Sequence, residues 1–417
     1  MGQTIGRRKF MGQVGLGAAA ALVYPSFKVL GANDRVRIGM IGAGARGQEL
    51  LKQVVAIPDA QLVAIADVFK RRHDEAKKIA PAIKTFDDHR RLLEMKDVDA
   101  VIVASPLHIH ARHFVDTLAA GKDLYGEKTM TWSIAEAEEC RNAANNSKRV
   151  VTIGLQHESD GSLADARQWI KQGLPGKITQ VESWMSRNTP HGKGQWVRPV
   201  PPDCTPGNVR WDAFLNGRPA RPFDAYKFIN WRLFWEFSGG NITENMVHQI
   251  AWIMTALELP VPTSAYMSGG IFSEKDGREV PDTIAVTLNF PSDITVLWRS
   301  TFNNNRYGLG ERLLGSDGTI EHLSGTNDMV TGKSKSAIQF YPEKVNRPDG
   351  VALKGESRDQ NHMANFIECV RTRKQPNAPV DIGYRSAVAA HMANLSYRSK
   401  RAVTLEEAKG MQLSMQG

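Results

Sequence analysis

The chain has 417 residues, 41% of them hydrophobic and 23% charged. This composition suits a globular protein large enough for two domains and excludes low-complexity and repeat architectures. The formal net charge is +9, but Arg7, Arg8, Lys9 and Lys28 lie in an acid-free opening stretch, which leaves +5 for the remainder. Those remaining cations are scattered rather than clustered, which argues against a nucleic-acid partner.

Residues 6–27, "GRRKFMGQVGLGAAAALVYPSF", place two arginines directly before a mild apolar run. The order Arg7-Arg8-Lys9-Phe10, apolar run, then Val29-Leu30-Gly31 fits a twin-arginine signal over residues 1–31 with cleavage after Gly31. The run from about Met11 to Tyr24 is too short and too weakly hydrophobic for a stable membrane anchor. The expectation is passage through the twin-arginine export machinery to a periplasmic or secreted location. Cys140, Cys204 and Cys369 are odd in number and form no CxxC pair, so they read as bystander thiols.

The next stretch, "VRIGMIGAGARGQELLKQV", is an apolar strand running through Gly42, Gly44 and Gly47 into a helical pattern. Gly42 allows the tight turn, Gly44 lets a pyrophosphate approach the backbone, and Gly47 permits close helix packing. The helix start at Ala45 and Arg46 offers N–H groups to the anion. A second strand, "AQLVAIAD", ends in Asp67, twenty residues after Gly47, where a carboxylate hydrogen-bonds the adenosine ribose and repels a 2′-phosphate. This favours NAD, although Lys70, Arg71 and Arg72 would accept NADP if they turned inward.

Strands "DAVIVASP", "KDLYGEK" and "RVVTIGLQH" alternate with helices, one of them N-capped by Ser133, giving a doubly wound parallel sheet over residues 34–156. His108, His110 and His113 read as cap and packing residues rather than metal ligands, with His110 nearest the nicotinamide.

From Gly161 the pattern changes to a helix (Ser162–Gln172) and long strands such as "KITQVESWMS", "TIAVTLNF" and "ITVLWRST". These predict an α/β domain over residues 157–400 with a large, mainly antiparallel sheet, one face covered and one open. Helices near Gln360–Arg373 and Tyr384–Tyr397 complete it, and residues 401–417 form a tail. A Pro- and Trp-rich stretch, Arg187–Phe237, holds seven of the twenty prolines and four of the nine tryptophans. Its aromatic faces, with Arg187, Trp231, Arg232 and Asn241 as candidate contacts, suit a carbohydrate. Glu244 and His248 are four apart, so on a helix they share a face and can hydrogen-bond as a general base with a pKa near neutrality.

"YGEKTMTWSIAEA", with "IGAGARG", "ASPLHIH" and "SGGNITENMVHQI", resembles the glucose–fructose oxidoreductase / inositol dehydrogenase (Gfo/Idh/MocA) family along the whole chain after the leader. The resemblance implies Lys128 and His248 as catalytic residues. Glu244 stands where an Asp is usual, and Thr129 replaces the proline of a Glu-Lys-Pro turn, which leaves that turn less rigid. It also implies Ser105, Pro106, His110, Glu127, Lys128 and Gln156 beside the cofactor, and oligomer contacts through the open sheet face.

The expected function is oxidation of a sugar or sugar derivative with a non-dissociating NAD. The alternative is an NAD-dependent glycosidase working by transient oxidation and elimination. Against it, Ile242-Thr243-Glu244 lacks the tyrosine those glycosidases carry before their histidine. A non-catalytic carbohydrate-binding protein on the same fold is the third reading.

Overall fold

A computed structural model describes residues 35–190, 192–327 and 334–411; the expected leader, residues 1–31, lies outside the described residues. Six strands form the first sheet: β1 (Val36–Ile41), β2 (Ala60–Ala66), β3 (Lys84–Phe86), β4 (Ala100–Val103), β5 (Asp123–Gly126) and β6 (Val151–Ile153). Their order is β3-β2-β1-β4-β5-β6 and every pairing is parallel. Strand order reverses between β1 and β4, and their carboxyl ends open a crevice there, the usual ligand position in such sheets. All four residues of β4 are buried, as a strand covered on both faces requires. The helix Ile134–Ser147 starts with a capping box between Ser133 and Glu136, as its sequence predicts.

The second sheet has nine strands: β7 (Ile178–Ser186), β8 (Ser264–Gly270), β9 (Thr283–Phe290), β10 (Ile294–Thr301), β11 (Leu309–Gly315), β12 (Gly318–Asn327), β13 (Ser334–Pro342), β14 (Leu353–Lys354) and β15 (Val403–Thr404). Only β7 and β10 pair in parallel; the other pairs are antiparallel. One face, including Val181, Val286, Val296 and Trp298, packs on the helices Val247–Ala256 and Val380–Ser399. The opposite face presents Gln180, Glu182, Thr295 and Arg299. The α/β class and both sheets therefore follow the sequence reading.

Two boundaries do not. The helix His362–Thr372 does not complete the second domain: Met363, Phe366, Ile367 and Val370 pack with Val36, Ile38 and Met40 of the first sheet. Its apolar stripe covers a parallel sheet that must be buried on both sides. Residues 401–411 are not a loose tail either. Strand β15 pairs with β8, and Thr404 caps the helix Leu405–Gly410.

Candidate active site

The crevice at the carboxyl ends of β1, β2 and β4 is a cleft of about 320 Å³. Gly42 turns there with φ +90°, and a Cβ on Gly47 would lie 2.3 Å from the Gly42 carbonyl oxygen, so neither position admits a side chain. Gly44 is different, because a Cβ there would meet no protein atom within 4 Å. The protein's own packing does not demand that glycine, whereas a dinucleotide lying on the turn does. The helix Ala45–Val55 begins at Gly44 without a side-chain cap, so its first N–H groups are available to an anion. The residues present thus fit a dinucleotide.

Asp67 lies on the cleft wall, and its carboxylate accepts backbone N–H groups from Ala43 (2.7 Å) and Phe69 (2.9 Å). It braces the glycine turn as well as facing the ribose position. Burial raises its pKa, and the two N–H donors oppose that rise. Of the three cations considered for a 2′-phosphate, Lys70 and Arg71 turn away, to the Gly207 carbonyl and to Asp203. Arg72 lines the cleft but is paired with Glu75 at 2.5 Å.

The second part of the site lies where the turn after β5 meets the segment 241–248. Lys128 Nζ donates to the Glu244 carbonyl oxygen (2.7 Å) and approaches its carboxylate at 3.4 Å. Arg232 Nε donates to the same carboxylate at 3.0 Å, and its guanidinium stacks over Trp231, 4.3 Å from the ring centre. Trp231 and Arg232 also line the cleft, so Arg232 joins the two parts. Burial alone would raise the Glu244 carboxyl, but Arg232 and Lys128 outweigh it and hold the group down at about 2.

This corrects the expected pairing of Glu244 with His248. Residues Ile242–Met246 form a π-helical turn ahead of the α-helix Val247–Ala256, and no hydrogen bond joins the two side chains. Two full cations compete for the carboxylate, and charge-assisted bonds win over one to a neutral imidazole. Burial, reinforced by the Lys128 charge, drops the His248 pKa well below the usual histidine value rather than leaving it near neutrality. Its Nδ1 is buried without a partner. In the Glu-Lys turn, Thr129 Oγ1 donates to the Thr243 carbonyl at 2.5 Å.

Ser105 and Pro106 line the cleft with Ala45 and Arg46. His110, Glu127, Gln156 and Asn241 are not among the residues lining the cleft, and neither are Lys128, Arg187, Glu244 and His248. Both ring nitrogens of His110 face backbone carbonyls, of Thr129 (2.8 Å) and Ser105 (2.6 Å), so it ties two turns together. Glu127 and Gln156 stand behind the wall. Glu127 accepts from Arg46 Nε at 2.8 Å, and Gln156 donates to the Tyr125 hydroxyl and to Glu127, so the pair positions Arg46. Asn241 is fully buried and bonded to Ser300 and Asn245.

Arg187 has no side-chain hydrogen bond or ion pair to the described residues. Burial lowers its pKa while Glu244 opposes that shift. Among the four tryptophans only Trp231 is on the cleft. Trp196 packs on Phe302, Trp211 on Phe214 and Trp235 on Tyr397.

One neighbour escaped the sequence reading. His157 lies edge-on to His248 with ring centres 5.4 Å apart, and its Nδ1 is 2.7 Å from Asp160. Burial lowers its pKa, but Asp160 more than offsets that and leaves it raised. The i,i+3 spacing of His157 and Asp160 in "QHESD" was the available signal.

Residues 36–155 match the Gfo/Idh/MocA "Oxidoreductase family, NAD-binding Rossmann fold", and residues 213–405 match its "C-terminal alpha/beta domain". The chain is 23% identical over 388 residues to a myo-inositol 2-dehydrogenase of Thermotoga maritima, covering 90% of this chain and 100% of that one. It is 27% identical over 180 residues to an alpha-N-acetylgalactosaminidase of Shewanella oneidensis, covering 39% of each chain. The fold is similar to that of an aldose-aldose oxidoreductase from Caulobacter crescentus, with a TM-score of 0.65 and 18% identity over 89% of this chain and 99% of that one. The chain belongs to the Gfo/Idh/MocA oxidoreductase family and is an NAD(P)-dependent oxidoreductase.

Proposed function

We propose that the enzyme oxidises a CH–OH group of a sugar or sugar derivative, with NAD held between turnovers and Lys128, Glu244 and His248 around the reacting carbon. The observation that carries this reading is the buried His248 Nδ1, which has no partner, together with Lys128 fixed by Glu244. A neutral imidazole can take the hydroxyl proton, while the Lys128 ammonium stabilises the alkoxide that develops. When bound, the nicotinamide supplies the acceptor for the hydride. Arg232 and Arg187 bring donors for hydroxyl oxygens, and the Trp231 face suits the CH side of a ring. His157, held by Asp160, packs edge-on against the His248 ring.

Residues 1–31 support the further reading that this chemistry takes place outside the cytoplasm, where free NAD is scarce. The cofactor would then be reoxidised in place by a second carbonyl compound. With lysine at positions 7 and 8, folded enzyme should accumulate in the cytoplasm; export at the normal level would remove this premise.

The match to the Shewanella alpha-N-acetylgalactosaminidase favours hydrolysis through transient oxidation as the second reading. Product analysis separates the two. An oxidoreductase turns a sugar and a carbonyl acceptor into an oxidised and a reduced product in equal amounts. A glycosidase releases free sugar and exchanges solvent deuterium beside the oxidised carbon.

A further inference from the structure

The segment between β7 and the π-helical turn has a core of its own. Cys204, Val209, Phe214, Phe228 and Phe237 cluster with Phe69, which comes from the first domain, two residues beyond Asp67. The segment is also fastened to both rims of the cleft. On the β2 side Phe69 bridges Val209, Lys70 N–H donates to the Asn208 carbonyl (3.0 Å), and Arg210 N–H donates to that of Val68 (2.9 Å). Arg71 and Asp203 add an ion pair at 2.6 Å. On the β4 side His108 Nε2 meets the Phe214 carbonyl at 2.7 Å, and Asn216 reaches the His108 carbonyl.

One side chain of this segment, Arg198, shares the cleft with the glycine turn. Arg198 is held by its backbone: its N–H donates to the buried Asn230 Oδ1 (2.7 Å), and its carbonyl accepts from Asn230 Nδ2 (3.1 Å). Arg198 lines the cleft with Gly44 and Arg46, and its guanidinium has no ion-pair or hydrogen-bond partner among the described residues. Arg72 and Arg232 converge on the same cleft, and each already has a carboxylate, Glu75 and Glu244. Of these three, Arg198 alone has no carboxylate partner among the described residues. Burial and the Arg232 and Arg72 guanidiniums lower its pKa, and Glu49 only partly opposes them, a setting that favours an anion.

We propose that Arg198 is a ligand of the dinucleotide pyrophosphate, closing on it opposite the glycine turn, so that the 196–237 segment is a strap that keeps the cofactor resident. This rests on the reading of the cleft as an NAD site. It deepens that reading, because tight retention becomes a property of a named residue and the two rims it spans.

The test compares the purified full-length enzyme with Arg198→Gln and Arg198→Lys, after circular dichroism and thermal melting confirm that each is folded. Bound nucleotide is displaced with a large excess of a fluorescent etheno-NAD, and release is followed over time. Arg198→Gln should release NAD about 10–100-fold faster, as expected for loss of one hydrogen bond to a charged group. Arg198→Lys should fall between. Affinity for adenosine, which has no phosphate, should not change.

Wild-type release rates in Arg198→Gln, with NAD still binding one per chain, would overturn the proposal and leave the NAD site intact. A loss confined to NADP would place Arg198 on the 2′-phosphate and also overturn it. Failure of the wild type to bind any nicotinamide dinucleotide would bring down both the proposal and the reading beneath it.

Discussion

Lys128 and Glu244 are 116 positions apart in sequence and are joined twice, through the Lys128 ammonium to the Glu244 carbonyl at 2.7 Å and to its carboxylate at 3.4 Å. The contact brings the turn after β5 against the π-helical turn that carries Glu244, and so places a fixed cation near His248. That cation acts on the histidine with a definite sign. Burial is the first cause of the low His248 pKa, and the Lys128 charge is the next.

Lys128→Met should therefore do two separable things. Turnover should drop by about 10²–10⁴-fold as acid–base assistance is lost, while nucleotide stays bound. The acidic limb of the pH profile of kcat/KM should move to higher pH, because removal of a nearby positive charge makes protonation of His248 easier. A residual activity with an unmoved limb would show that Lys128 does not act on His248.

Glu158 gives a stability test of the same physics. It is 7% exposed, its Oε1 has no partner, and burial, only partly opposed by Thr255 and Arg385, pushes its pKa up to about 7. Its folded pKa exceeds the unfolded value of about 4.5, so ionisation costs stability as the pH rises through about 7 and costs nothing below about 4.5. Glu158→Gln should raise stability by about 2–3 kcal/mol at pH 8 and leave it nearly unchanged at pH 4.5, read from urea denaturation at the two pH values. Equal effects at both would contradict the account.

Asp67→Ser should relax the preference for NAD over NADP, since a carboxylate beside the 2′-phosphate position is removed. It should also weaken binding of both cofactors, because Ala43 N–H loses the acceptor that braces the glycine turn. Isothermal titration of the nucleotide-stripped protein with each cofactor reads both effects. A wild type that already prefers NADP would mean that Arg72 outweighs Asp67.

The sequence made the framework legible where local pattern and chemistry coincide. The Gly42–Gly47 turn, Asp67 at the end of β2 and the Ser133 cap all depend on residues close together in the chain. Errors arose where a side chain had several distant suitors. Glu244 and His248 have helical spacing, but Lys128 and Arg232 arrive from elsewhere and take the carboxylate. His110 and Asn241 look like site residues in their motifs, yet their hydrogen bonds close within the protein, to Ser105, Thr129, Ser300 and Asn245. Arg198 carried no local signal, because its placement depends on Asn230, 32 residues away.

The most direct test of the central claim is the absorbance of the enzyme-bound cofactor at 340 nm. A panel of sugars and polyols is added to wild type and to His248→Ala with no free NAD present. In the wild type at least one sugar should raise the absorbance, and a carbonyl acceptor should reverse it. His248→Ala should keep its nucleotide and respond about 10²–10⁴-fold more slowly. A wild-type spectrum that stays flat across the panel with NAD demonstrably bound, or a His248→Ala response as fast as wild type, would contradict the assignment.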